Sequence, residues 1–201
     1  MRLILNGYIG IKFNAIRINS EVPEDCEKYI DDFKRNGKRL LEHNMAPANG
    51  GNISMRFDDG FLITCSGCNL GYIEDNEITF VKEFYVEQKL VKFCGSNLPS
   101  SETFLHGLLY NEKRDIKSVI HAHDEIATSV NLEVFLDETE REEPYGTIEL
   151  ALLALDTFRI GHSIFVLKNH GYVAVGNSIT EVTNLLIDMH NKLMKIKQNQ
   201  K

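Results

Sequence analysis

The chain has 201 residues, 43% of them apolar, with 22 Lys and Arg against 29 Asp and Glu for a formal net charge of −7. That length supports one domain with a real core, and the acidic balance argues against a nucleic-acid or anionic-membrane binder, so neither partner is expected. Fourteen Gly and four Pro exclude a collagen-like or low-complexity chain, no apolar run reaches the ~18 residues of a membrane span, and four cysteines at this length are no disulfide scaffold, so a reducing, cytoplasmic setting is expected.

Met1 to Ser20 is apolar-rich but interrupted by Asn6, Lys12, Asn14 and Arg17, and is not read as a signal peptide. Residues 1–22 are expected to be an N-terminal extension and 23–201 a single domain. Within the extension Ile9, Ile11, Phe13 and Ala15 alternate, which suits a short strand over 9–15 or a stretch of little order. Pro23 opens a helical stretch to about Met45, with Ile30, Phe33, Leu40 and Leu41 at helical spacing. A turn cluster at 48–52 follows. Ile53–Phe57 and Phe61–Thr64 flank Asp58-Asp59-Gly60, a hairpin signature. Further strands are expected at 78–81 and 85–93. Ser100, Ser101 and Glu102 start a helix to about Asn111, and Ser118 to Ala122 is a strand running into histidines. Thr147 to Phe158 reads as a helix. Ile164 to Lys168 and Tyr172 to Val175 form a second hairpin around Asn169-His170-Gly171. Ser178 and Glu181 make a capping box for a last helix to about Lys195. Strands and helices mix without a βαβ rhythm, so a mixed or antiparallel sheet covered by helices is expected.

His121 and His123 are two apart at a strand end, so both imidazoles share a face, as two ligands of one divalent metal would. They also fit as two partly exposed polar residues. His170, in the turn between two strands, would complete a His₃ set with open positions, the catalytic kind of zinc site; a Gly after it also suits a tight turn on backbone grounds alone. His43 and His190 lie in helix patterns and His162 precedes a strand. His106 is four residues after Glu102 on one helix face, either supporting a site or simply packed.

Ser100-Ser101-Glu102 at a helix start is a phosphate-binding arrangement or an ordinary cap. Gly50-Gly51-Asn52 and Ser66-Gly67 are strand-end loops able to offer backbone N–H groups to an anion. Cys65 and Cys68 form a CxxC pair without a second pair, which argues against a structural zinc or a redox motif.

The stretches 50–57 (GGNISMRF), 61–67 (FLITCSG), 98–102 (LPSSE) with His106, 119–123 (VIHAH), 144–150 (PYGTIEL) and 168–171 (KNHG) occur in the order of the class II aldolase/adducin family. The chain resembles that family from about Asp25 to Gln198. The resemblance implies an α/β fold of the α+β type, three-layered α/β/α, with a central mostly antiparallel sheet. It implies Zn²⁺ held by His121, His123 and His170. Glu102 would be a ligand in the empty site and the acid/base with substrate bound. Phosphate would be held at Gly51, Asn52, Ser66, Gly67, Ser100 and Ser101. The implied activity is cleavage of a ketose 1-phosphate to dihydroxyacetone phosphate and an aldehyde, by a homotetramer with sites at subunit interfaces.

Glu102 favours an aldolase over the family's sugar-phosphate epimerases, which resemblance says carry aspartate there, and over its methylthioribulose-phosphate dehydratases, which keep no glutamate there. A non-catalytic adducin-like module would lack the three histidines. Cys65 stands where the family often has proline. The stretch from His123 to Pro144 looks shortened and offers no tyrosine matching the family's, and the family's tail with a second tyrosine is not seen, so the aldehyde half of the site is expected to differ.

Overall fold

The computed structural model describes residues 10–126 and 136–199. Its sheet follows from the alternation seen in the sequence. Strands β1 (Asn14–Asn19), β2 (Asn52–Phe57), β3 (Gly60–Thr64), β4 (Ile78–Tyr85), β5 (Leu90–Cys94), β6 (Ser118–Ala122), β7 (Ile164–Leu167) and β8 (Gly171–Gly176) pair in the order β1-β5-β4-β3-β2-β6-β8-β7. The β1–β5 pair is parallel and the other six are antiparallel.

Successive residues of a strand face opposite sides, and each side has its own core. Ile53, Leu62, Ile120, Tyr172 and Val166 lie in one core with Phe33 and Leu40 of α1 (Glu27–Glu42) and Leu186 and Leu193 of α4 (Ile179–Asn199). Ile63, Val119, Val173 and Phe165 lie in the other with Leu105 and Leu109 of α2 (Thr103–Glu112) and Leu150 and Ala154 of α3 (Ile148–Phe158). The result is the expected α/β/α arrangement around a mostly antiparallel sheet.

Local differences from the sequence reading have physical reasons. The strand expected over 9–15 lies at Asn14–Asn19, inside the expected extension, as a parallel edge strand on β5. Phe13, just before it, is buried and packs edge-on against Phe104 at 5.5 Å. The first helix is preceded by a 3₁₀ turn at Glu24–Cys26 and stops at Glu42. There Asn44 takes a positive φ of 56°, Met45 N–H donates to Leu40 O at 2.9 Å and Asn44 N–H to Leu41 O at 2.9 Å, a Schellman stop. The strand expected from Tyr85 begins at Leu90, because residues 86–89 turn with Lys89 at a φ of 48°. The helix expected from Ser100 begins at Thr103. Thr147 caps α3, its hydroxyl accepting from Leu150 N–H at 3.1 Å. Ser178 accepts from Glu181 N–H at 3.1 Å, while the Glu181 carboxylate accepts from the Asn177 amide.

Phe33 is fully buried between α1 and the sheet. Phe33→Ala is expected to lose ~3–5 kcal/mol, the range for removing a core phenylalanine. Urea denaturation should show the midpoint falling at an unchanged m value.

Candidate active site

The end of β6 places two imidazoles on the α2 side of the sheet. Val119 belongs to the core on that side, so His121, two residues on, faces the same way. The chain beyond is held by His123 N–H donating to Met45 O at 2.9 Å, so the stop of α1 fixes the second histidine's backbone. Gly171 begins β8 against Ala122, where a Cβ would lie 2.2 Å from the Ala122 carbonyl oxygen. Close approach of two strands is thus why glycine follows His170. Across this contact His121, His123 and His170 meet with ring centroids 4.7–4.8 Å apart, and one ligating atom of each lies within 4.8 Å of the others.

His121 is fully buried and its Nδ1–H donates to Tyr172 O at 2.8 Å. Its Nε2 is therefore the unprotonated nitrogen, 2.9 Å from His123 Nε2 and 3.5 Å from Glu102 Oε2. Burial lowers the pKa of all three imidazoles, that of His121 well below the ordinary value, with His123 adding to it, and that of His170 to about 3, with His121 adding to it. Glu102 is 4% exposed, and its Oε1 has no hydrogen-bond partner among the described residues. Three neutral imidazoles crowded together beside a buried, half-satisfied carboxylate make a donor set that fits one divalent cation.

Glu102 is not alone. Its Oε2 accepts from Asn52 Nδ2–H at 2.8 Å, and Asn52 sits directly opposite His121 in the β2–β6 register. Asn52 Oδ1 meets His106 Nε2, His106 Nδ1 meets Ser54 Oγ at 2.6 Å, and Ser54 Oγ meets Tyr110 Oη at 2.8 Å. Burial lowers the His106 pKa to about 4. Ser54 and Tyr110 were given no role by the sequence reading; the available signal was the i, i+4, i+8 row Glu102, His106, Tyr110 on one face of α2.

A cavity of about 310 Å³ opens beside the imidazoles. Gly51, Asn52, Gly67, Ser100 and Ser101 line it, with Glu102, His123 and His170. Ser66 is not among its lining residues, and its N–H donates to Leu98 O at 2.9 Å. Ser100 N–H donates to Thr64 O at 3.1 Å and Ser100 Oγ accepts from Glu102 N–H at 3.3 Å. These bonds build the loop rather than reach into the cavity. Tyr145 also lines it, and Lys12 docks on that residue, its Nζ donating to the Tyr145 carbonyl and lying 4.6 Å from the ring centroid. Tyr145 lies within the 144–150 motif, and neither it nor Lys12 carries a functional signal in the sequence. The expected shortening between His123 and Pro144 falls partly outside the described residues, at 127–135.

The other histidines stand apart: His43 donates to Arg39 O, His190 bonds Asp124 and His162 bonds Asp137. Cys65 and Cys68 are buried free thiols, and the hydrogen bond with Cys68, together with burial, raises the Cys65 pKa.

Residues 35–195 match the family described as the Class II Aldolase and Adducin N-terminal domain. The chain belongs to the class II aldolase/adducin family. It is 27% identical over 156 residues to an L-fuculose phosphate aldolase of Methanocaldococcus jannaschii, covering 72% of this chain and 82% of that protein. It is 29% identical over 134 residues to a methylthioribulose-1-phosphate dehydratase of Gluconobacter oxydans, covering 66% and 58%. A solved L-fuculose 1-phosphate aldolase superposes with a TM-score of 0.70 at 25% identity, covering 89% of each chain.

Two outcomes follow from the geometry. Divalent metal should raise the thermal midpoint of metal-free protein, because a ligand of the native state alone stabilises it; His121→Ala should abolish the rise in a thermal-shift titration. The second concerns pH. His106 has a folded pKa of about 4 against an ordinary 6.5, so its contribution to stability is complete above about 6.5 and is lost as pH falls toward 4. The urea midpoint of metal-free protein should fall through that window, and His106→Gln, which cannot titrate, should make the fall shallower, leaving the share of His121, His123 and His170.

Proposed function

We propose that the protein is a zinc-dependent class II aldolase that cleaves a ketose 1-phosphate of the L-fuculose 1-phosphate kind to dihydroxyacetone phosphate and an aldehyde. The observation that carries this reading is the meeting of His121, His123 and His170 with Glu102 at the edge of a cavity lined by Ser100, Ser101, Gly51 and Gly67. The likeness to fuculose phosphate aldolases supports the substrate class.

In such a cleavage the C3–C4 bond breaks and its electron pair stays with C3. The C4 hydroxyl loses its proton and becomes the aldehyde carbonyl. A proton added at C3 completes dihydroxyacetone phosphate. Zinc bound by the three imidazoles supplies a Lewis acid for the negative charge that develops on substrate oxygen. The protein's own groups do the rest. Ser100 and Ser101, ahead of α2, place the phosphate at a helix N-terminus, where free N–H groups and the positive dipole end favour an anion. Gly51, Asn52, Ser66 and Gly67 complete the proposed phosphate set. In that set Asn52 contributes through a side chain already bonded to Glu102 and His106, and Ser66, which does not line the cavity, would have to turn its hydroxyl toward it. Glu102 is a candidate fourth ligand and, with substrate bound, the group that moves the proton at C3. Its burial beside neutral imidazoles keeps water away from that proton.

The family likeness extends the reading to a cytoplasmic homotetramer acting on a small sugar phosphate. A second reading, a sugar-phosphate dehydratase, is favoured by the Gluconobacter relative; it would yield a dehydrated ketone and no aldehyde from the same substrates.

The test is a cleavage assay over a panel of ketose 1-phosphates, coupled to detection of dihydroxyacetone phosphate, with Glu102→Gln beside wild type at matched metal content. Wild type should release the triose phosphate, and the variant should keep its fold and metal while losing ~10²–10⁴ in kcat, the usual contribution of a general acid/base. Equal rates in the two proteins would remove Glu102 from the chemistry.

A further inference from the structure

We propose that His106, Ser54 and Tyr110 form a positioning relay that fixes the amide of Asn52 and, through it, sets which oxygen of Glu102 is left to act. The inference rests on the reading of Glu102 as the proton-moving group, and it concerns residues that do not reach the cavity.

The short hydrogen bonds run in one self-consistent direction, the contact of Ser54 Oγ with Val119 O at 3.4 Å being the longer alternative for the same hydroxyl proton. The Glu102 carboxylate accepts, so Asn52 presents its NH₂ to Oε2. The Asn52 carbonyl oxygen then faces His106 and accepts, so His106 Nε2 carries the proton. His106 is fully buried and held neutral, so its Nδ1 has a free lone pair and accepts from Ser54 Oγ–H at 2.6 Å. Ser54 has then given its proton, so Tyr110 Oη–H donates to Ser54 Oγ at 2.8 Å. Four bonds run one way, from the phenol to the carboxylate.

Every member is buried: Asn52 6% exposed, Ser54 and His106 0%, Tyr110 2% and Glu102 4%. Burying five polar groups is costly unless each is paired, and apolar side chains would fill the space between β2 and α2 without that cost. What apolar packing cannot do is tell an amide which way to point. A flipped Asn52 would set its oxygen against the carboxylate and its NH₂ against the His106 N–H, two repulsive contacts. The relay excludes that flip. It thereby holds Oε2 on Asn52, 3.5 Å from His121 Nε2, and leaves Oε1 as the carboxylate oxygen without a protein partner among the described residues.

The relay acts on turnover more than on binding, because it ends on Glu102. His106→Leu removes both ring bonds; His106→Gln keeps a donor at the Nε2 position; Ser54→Ala removes only the hydroxyl that orients the ring. With metal-loaded protein and a ketose 1-phosphate that wild type cleaves, His106→Leu should lose ~10–100-fold in kcat, the usual effect of removing a group that orients a ligand or catalytic residue. Metal content should stay as in wild type, and KM and inhibition by inorganic phosphate, in which the Asn52 side chain also has a part, should change by less than kcat. His106→Gln should recover most of the loss. Equal losses in the Leu and Gln variants, or a loss confined to KM, would overturn the relay and leave His106 a packing residue.

A second arm needs no turnover. Ring ¹⁵N NMR of the wild type at neutral pH should show His106 as the Nε2–H tautomer with a slowly exchanging proton, and Ser54→Ala should lose that single tautomer. An Nδ1–H or charged His106 in wild type, or an unchanged ring in Ser54→Ala, would overturn the relay. Wild type that cleaves nothing in the panel sinks the aldolase reading alone, and the NMR arm then decides the relay. A His106→Leu protein that fails to fold by circular dichroism shifts the kinetic comparison to Ser54→Ala, expected several-fold lower in kcat with a smaller change in KM; unchanged kcat there would overturn the relay.

Discussion

The hydrogen bond from His121 Nδ1–H to the Tyr172 carbonyl is the contact on which the site depends. It fixes the tautomer and the plane of a fully buried ring, so that the unprotonated nitrogen faces the cluster. It can form because β6 lies between β2 and β8, the two strands that bring in the other parts. Asn52 of β2 is opposite His121, and Tyr172 lies just after the turn that carries His170. A one-residue slip of β6 would turn His121 to the α1–α4 side and place Ile120 or Ala122 where the ligand is wanted. The apolar alternation of β6 thus sets the register and, with it, the chemistry.

Rigidity near the site comes from backbone rather than from salt bridges. A Cβ at Gly51 would lie 2.7 Å from the His121 carbonyl oxygen, and Gly51 holds a φ of 84°, so two requirements meet at that residue. Met45 O holds His123 N–H, and the positive φ of Asn44 is what brings Met45 there. Loops before β2 and after β6 are therefore tied to the stop of α1. The ion pairs of the surface, such as Lys34–Asp75 and Arg159–Glu112, lie on exposed or half-exposed side chains and contribute little by comparison.

The central strands were legible because their pattern and their burial agree: β2, β3 and β6 fall within a residue of their expected bounds, and the β7–β8 hairpin turns at Asn169 as read. The edge was not. In β1 both Ile16 and Ile18 are exposed, about half so, while the chain before it alternates more cleanly. The turn after Tyr85 uses Glu87, Gln88 and Lys89, none of them a turn residue by composition, so its position was hidden. In the candidate site, the spacing of His121, His123 and His170 read as a possible ligand set from the residues themselves, whereas Glu102 took its role only from the family resemblance. Ser54 and Tyr110 could not be named, because a buried hydroxyl in a strand and a phenol in a helix look like core until their partners are known. Lys12 lies far from the motifs in sequence and reaches Tyr145 only through the fold.

Two negative charges share one helix end under the proposed reading. Glu102 stands at the N-cap position of α2, its carboxylate turned to Asn52, and the phosphate would sit at the serines just before it. A helix N-terminus offers roughly half a positive charge, too little for a carboxylate and a phosphate dianion together. Lys12 adds one charge close enough to act on Glu102. The imidazoles add none, because burial keeps them neutral. Neutral ligands, however, leave a divalent cation its full charge, and that charge is what can balance both anions at once. Replacing one imidazole by a carboxylate would keep the coordination and weaken the balance. Under the proposed reading the neutral histidines, the Oε1 of Glu102 without a partner among the described residues and the serines ahead of α2 are one electrostatic arrangement, which a divalent cation would complete.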